Sequence, residues 1–245
     1  MPRFAAAIVV VALAGAAGCM IDEKRFNPPF ACYNQPLPPM ALDPVIISGT
    51  VRDPFTASPI KQAPVEGFED ELTGGPIFTT KTDDAGFFTR SQGTGNAPRK
   101  VHLHASSPGY VDTYFYPAVP ITQNLNATLV MFTPADFMML ATAVGLPAID
   151  PSKALVAVGV VDCNDRPVGG ATVTTSQAMA GRVYLNSNVT PDPTATETDE
   201  HTGTAIFYNV SPSSVTINAT VGGMTLRSHS IMATASTLTQ AEIQP

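Results

Sequence analysis

Residues 45–245 read almost twice over. The segment "IISGTVRD" (46–53) has a counterpart in "VAVGVVDC" (156–163), and "TTKTDDAGFFT" (79–89) in "TETDEHTGTAIFYNV" (196–210). "RKVHLHASSPGY" (99–110) matches "SSVTINATVGGM" (213–224), and "NATLVMFTP" (126–134) matches "STLTQAEIQP" (236–245). Corresponding residues lie about 110–117 positions apart. A repeat of that length is a whole domain rather than one unit of a solenoid. Within each copy the apolar residues fall at every second position, as in Val215-Thr216-Ile217-Asn218-Ala219 and Val101-His102-Leu103-His104-Ala105. Period two sends one set of side chains inward and the other outward, the pattern of half-buried antiparallel strands. Short strands separated by Gly, Pro and Asp turns predict an all-β chain of two tandem antiparallel β-sandwiches, 44–132 and 151–245.

The intervening 133–150 predicts a helical linker. Thr133 stands as N-cap, Pro134 at the first helical position and Asp136 where a capping-box acid belongs. Phe137, Leu140, Ala141 and Val144 form an apolar stripe, and Gly145 marks the stop. Such a helix is expected to wedge between the sandwiches.

Before the repeats lies a different kind of chain. Arg3 is followed by an uncharged run from Phe4 to Cys19, shorter than the roughly 20 residues that cross a bilayer. A positive start, an apolar middle and small residues after it describe a secretory signal peptide over 1–18. Residues 19–43 carry prolines at 28, 29, 36, 38 and 39, which hold a chain extended, so this stretch is expected to act as a spacer. The formal charge is −7, from 20 acidic and 13 basic residues with no basic cluster. Nucleic acid is excluded as a partner, because phosphate contacts need grouped Lys and Arg.

Three resemblances follow from particular residues. Ala16-Ala17-Gly18-Cys19 resembles the lipobox of bacterial lipoproteins, with Ala16 where Leu is commonest. That resemblance implies acylation of Cys19 and a lipid-anchored protein of the bacterial cell envelope; ordinary cleavage near Ala14–Ala17 is the alternative. "VVDCNDRPVGGATV" (160–173) and "TDEHTGTAIFYNVSP" (198–212) resemble the opening strands and Asp–Gly turn of carboxypeptidase regulatory-like domains. Those are transthyretin-like sandwiches, mostly non-catalytic. The resemblance implies binding or structural modules without a cofactor, whose partner is another envelope protein or a polysaccharide.

"RKVHLHASSPGYVDTYFY" (99–116) resembles the Arg-Pro-x-His-x-His…Gly-Tyr segment of intradiol ring-cleavage dioxygenases. The resemblance implies that His102 and His104 are metal ligands, joined in that family by two upstream tyrosines on ferric iron. Lys100 replaces the family's Pro, and no tyrosine stands between Tyr33 and Tyr110. Two imidazoles underfill an iron or zinc site, so a metal-dependent oxygenase, or its iron-free relative, is the alternative reading. Asp83-Asp84 and Asp199-Glu200 precede Gly turns and read as β-turns rather than Ca²⁺ loops, which need six or more oxygens.

Three cysteines remain to be placed. With Cys19 acylated, Cys32 and Cys163 are the two thiols left in an exported chain, where oxidation is expected. A bridge between them requires the spacer to fold back on the second sandwich. The alternative is a buried Cys163 thiol with Cys32 free or bonded to another molecule.

Overall fold

The computed structural model describes residues 29–70, 74–143, 145 and 150–245. Cys19, the expected leader over 1–18 and Val144 of the expected helical stripe lie outside them. Among the described residues, sixteen strands and one α-helix make an all-β fold of stacked antiparallel and mixed sheets.

The first repeat contributes β1 (Val45–Arg52), β2 (Pro64–Glu69), β3 (Phe78–Lys81), β4 (Phe87–Gln92), β5 (Val101–Ala105), β6 (Thr113–Tyr116) and β7 (Leu125–Val130). After α1 (Pro134–Ala143), the second contributes β8 (Ala154–Val160), β9 (Ala171–Thr175), β10 (Gly181–Leu185) and the short β11 (Pro191–Asp192). It continues with β12 (Thr204–Val210), β13 (Ser213–Val221), β14 (Met224–Thr225), β15 (His229–Ala233) and β16 (Leu238–Ile243). The two copies pair alike. In one, β1 takes β4 antiparallel and β7 parallel; in the other, β8 takes β12 and β16 in the same senses.

The turns repeat down to single atoms. The Thr82 hydroxyl donates to the Ile60 carbonyl and accepts from Ala63 N–H; the Thr198 hydroxyl does the same with Val168 and Ala171. Gly86 and Gly203 both sit at positive φ, where an added Cβ would meet the carbonyl oxygens of Val51 and Val160 at 2.7 and 2.6 Å. Only Gly fits there. This is the physical reason for the repeated Asp–Gly signal. Asp83 accepts from the N–H groups of Ala85 and Phe87, and Asp199 from that of His201, so both acids serve turns.

In two respects the sequence match is displaced. The pairing of β7 with β1 and of β16 with β8 equates Thr128 with Glu242, where the sequence match set it against Leu238. The first strands are displaced as well. Asp53 accepts from the N–H groups of Phe55 and Thr56, and Asp162 from those of Asn164 and Arg166. The structure therefore equates Asp53 with Asp162, whereas the sequence match set it against Cys163. A slip of one residue exchanges the faces of a strand.

The repeats are joined edge to edge. Strands β6 and β16 pair in parallel, which fuses half of each sandwich into one nine-stranded sheet, β11-β10-β12-β8-β16-β6-β5-β2-β3. In the first half of that sheet, Val65, Leu103 and Phe115 face β1, β4 and β7 across the first core. In the second half the opposite face is the covered one: Val156, Val158, Phe207 and Ala241 meet Val173, Val215, Ile217 and Ile231. The equivalent sheets are not the ones that fuse, so the shared sheet is buried on one side in one half and on the other side in the next.

Helix α1 fills the space this leaves under the second half. Thr133 and Asp136 exchange hydrogen bonds as a capping box, and Gly145 at φ +70° ends the helix. Phe137 and Leu140 pack on Leu155, Ile206, Tyr208 and Leu238. The helix lies against the outer face of the shared sheet, and its Phe137 also meets Phe132 from the end of the first repeat, with ring centroids 5.6 Å apart. Strand β8, "ALVAVGV", is consequently buried on both faces, which accounts for its unbroken apolar run.

From Pro29 on, the segment expected to stand off as a spacer lies against the body. The Pro29 carbonyl accepts from Cys163 N–H, the Gln35 carbonyl from Arg227 Nη2, and Ala41 and Leu42 donate to Asn96 and Thr122. Cys32 and Cys163 form a disulfide, with their Cα atoms 5.7 Å apart. This strap thus runs from the second sandwich to the first. Proline-rich chain makes few hydrogen bonds of its own, and here its free carbonyls are used by the body.

Candidate functional site

His102 and His104 project from β5 on the face of the shared sheet away from the first core. The same alternation places Glu66 and Phe68 of β2, and Tyr114 and Tyr116 of β6, on that face beside them. The seam adds a wall, because β15 of the second sandwich stands over this face. His102, Tyr114, Tyr116, Ser230 and Met232 line a cavity of about 440 Å³ between floor and wall.

Each imidazole is held from several sides. His102 Nδ1 lies 2.7 Å from Asp70 Oδ1, and the ring is stacked between Phe68 and Tyr116 at centroid distances of 5.4 and 4.8 Å. His104 Nδ1 lies 3.3 Å from Glu66 Oε2, its Nε2 lies 3.4 Å from Asp112 Oδ2, and Tyr114 stacks on it at 4.6 Å. Arg99 pairs with Glu69 at 2.8 Å rather than entering the site. Tyr110, last of the Gly-Tyr pair in the motif, packs against the first core on the other side of the sheet.

This arrangement does not fit a ferric centre. A ring nitrogen coordinates in its own plane, whereas both tyrosines lie over imidazole faces, 20–21° from parallel. Both nitrogens of His104 already face carboxylates. Phenolate formation is opposed as well. Burial, then Asp112 and Glu66, raise the Tyr114 pKa, and burial pushes Tyr116 up to about 12, against a lowering hydrogen bond from the Met232 backbone. Among the described residues, no three His, Cys, Asp or Glu side chains are placed to hold a metal ion.

Sequence reasoning found the two histidines and missed their surroundings. Glu66 and Phe68 sit at alternate positions in "PVEGFE", as do Tyr114 and Tyr116 in "TYFY". That alternation was a usable signal for which side chains share a face. The wall supplied by β15 had none, since it depends on the β6–β16 pairing between distant segments.

No protein-family model matches the chain, and no curated protein matches it. Solved structures show weak likeness of fold. Hydroxyquinol 1,2-dioxygenase from Pseudomonas putida DLL-E4 aligns at 15% identity and a TM-score of 0.29, over 38% of this chain and 59% of that one. The shaft pilin SpaA from Lactobacillus rhamnosus GG aligns at 12% identity and a TM-score of 0.26, over 83% and 97%. The Bacillus anthracis TIE protein aligns at 13% identity and a TM-score of 0.29, with this chain spanning 34% of its length. At such scores the function must be argued from this chain's own residues.

Proposed function

We propose that the protein is a non-catalytic lipoprotein of the bacterial cell envelope, acylated at Cys19, that presents its paired sandwiches to another envelope protein or a polysaccharide. The observation that carries this reading is the Cys32–Cys163 disulfide. Such bonds persist in exported proteins and are rare where thiols are kept reduced. An exported chain needs a leader, and the Arg3-to-Cys19 stretch has the charge, length and small residues of one. Several acyl chains on Cys19 would anchor the protein stably, where one alone is marginal.

The non-catalytic part of the proposal rests on the stacked, carboxylate-paired histidines, which form a cross-linked sheet face rather than a set of open ligands. The competing reading, a dioxygenase-like oxygenase using His102 and His104, has no support from that geometry. Substituting Cys19→Ser tests the anchor. The variant is expected in the soluble fraction of lysed cells while the parent pellets with membranes; unchanged pelleting overturns the lipoprotein reading.

A further inference from the structure

Strand β15 ends the sheet that covers the second core, and it pairs on one side only, with β13. The ladder fixes which groups face the other side. Thr216 accepts from Ser176 N–H and donates to the Ser176 hydroxyl, so its peptide groups point toward β9. Its neighbours Val215 and Ile217 therefore point toward β15, where they meet Ile231 and His229. The alternate residues of β15, Ser230 and Met232, aim their N–H and C=O groups out of the sheet. The Met232 N–H bonds the Tyr116 hydroxyl on β6, which sets this edge against the face that carries His102. Among the described residues, Ser230 N–H, Ser230 C=O and Met232 C=O have no hydrogen-bond partner.

The edge borders a groove. The cavity of about 440 Å³ over His102 and Tyr114 shares Asp70, Lys100, Tyr116 and Ser230 with a second of about 270 Å³, and the two follow β15 from Arg227 to Thr234. Ser230 and Met232, which line it, are exposed. Unpaired N–H and C=O groups at alternate positions of an edge strand are a template for another extended chain. The first repeat shows that template filled. There β6 holds the place of β15, antiparallel to β5 as β15 is to β13, and its other edge takes β16 in parallel. The opposite outer face of the shared sheet, under the second half, is covered by α1. Along the free edge of β15 the described chain supplies neither a strand nor a helix.

We propose that this groove binds an extended peptide segment of a partner protein, which adds to β15 as a further strand. Its backbone pairs with Ser230 and Met232, and its alternate side chains, apolar, lie on His102, Tyr114 and Tyr116. Donor and acceptor alternate along this edge as they do along any extended peptide, so the choice falls on protein rather than polysaccharide. The proposal rests on the binding-module part of the function proposed above and does not depend on acylation of Cys19.

Random short peptides displayed on phage are the probe, with the oxidised full-length chain as target. Enriched peptides, once synthesised, should shift the Ser230 amide resonance saturably and slow its exchange with solvent. Ser230→Pro deletes the outward N–H at an edge position where proline is tolerated, and should weaken binding at least about tenfold. Ser230→Ala keeps the backbone and should bind as the parent does. Should the proline variant not fold, N-methylation of alternate amides makes the same test from the peptide: one alternating set should abolish binding and the other leave it intact. The proposal is overturned if no enriched peptide moves the Ser230 amide, if Ser230→Ala loses binding as fully as Ser230→Pro, or if neither methylated set matters. It is overturned as well if the Ser230 amide moves with protein concentration alone, which makes the occupant a second copy of this chain. Dextran moving that amide where peptides do not would also overturn it, while leaving the envelope-module reading in place with its other class of partner.

Discussion

The two repeats share a pairing scheme and differ in what lies outside it. Strands β1 and β8 are equivalent, and so are β5 and β13. Ile46, facing outward from β1, is 39% exposed, while its counterpart Leu155 on β8 is 0% exposed beneath α1. On the other pair the difference lies in what the outward residues meet. His102 and His104 of β5 are stacked by tyrosines and His102 lines the cavity under β15, whereas Thr216 and Asn218 of β13, half-buried like the histidines, have side chains that meet the hydroxyls of Ser230 and Ser228. Added cover thus falls on different sheets in the two copies, α1 on the β8 sheet of one and β15 over the β5 face of the other. Two additions caused it, the helix and the β6–β16 seam. The site chemistry lies where an ordinary outward strand face was enclosed by the neighbouring domain.

The sharpest test of that contrast is a matched truncation. Leu155→Ala should cost about 2–5 kcal/mol, the range for emptying a packed leucine site. Ile46→Ala should change stability by about 0.5 kcal/mol or less, as for an exposed position. Denaturant midpoints of the two variants check this. Equal losses would mean that the outer face of β1 is covered too.

This contrast also marks what the sequence made legible. The helix was readable because Thr133, Asp136 and Gly145 act locally, and the turns because Gly86 and Gly203 admit no other residue. The fold class followed from alternation. What covers each strand was not readable: "ALVAVGV" showed burial on both faces without saying what lay on the second. The one-residue displacement between Asp53 and Cys163 has the same origin, since alternating Val, Gly and Ala match themselves in several registers. At the site, the histidines were legible from a motif, but Asp70, Asp112 and the β15 wall are contributions of tertiary structure.

A second test uses the seam's effect on a charge. Glu242 of β16 occupies the place that exposed Thr128 has on β7. Burial, and then the nearby Asp165, push its pKa from 4.5 up to about 7. The folded state therefore holds this proton to higher pH than the unfolded chain does. Its cost to stability is absent below the ordinary glutamate range, grows as pH rises from about 4.5 to 7, and is constant above. Stability should fall by about 1–3 kcal/mol across that window, and Glu242→Gln should flatten the profile there. An unchanged slope in the variant would show that the seam leaves Glu242 solvated.

The smallest expected effect compares two tyrosines on the two faces. Tyr208 lies in the sealed region under α1, packed with Leu155 and Ile206, and its hydroxyl is buried without a hydrogen-bond partner. Burial accordingly raises its pKa. A hydroxyl that loses water and gains no partner costs about 1–3 kcal/mol, and removing it leaves the ring's packing intact. Tyr208→Phe should therefore stabilise the protein by about 1 kcal/mol, part of the gain being lost to the space the oxygen vacates. Tyr114, on the walled but accessible face, is only half-buried. Its hydroxyl is not among the buried side-chain atoms left unpaired, so Tyr114→Phe should stay within about 0.5 kcal/mol of the parent. Thermal unfolding of the pair decides it. A rise in Tm for Tyr208→Phe alone fits a sealed second half and an open first, and a fall would mean that the Tyr208 hydroxyl has a partner, with the space under α1 wet rather than closed.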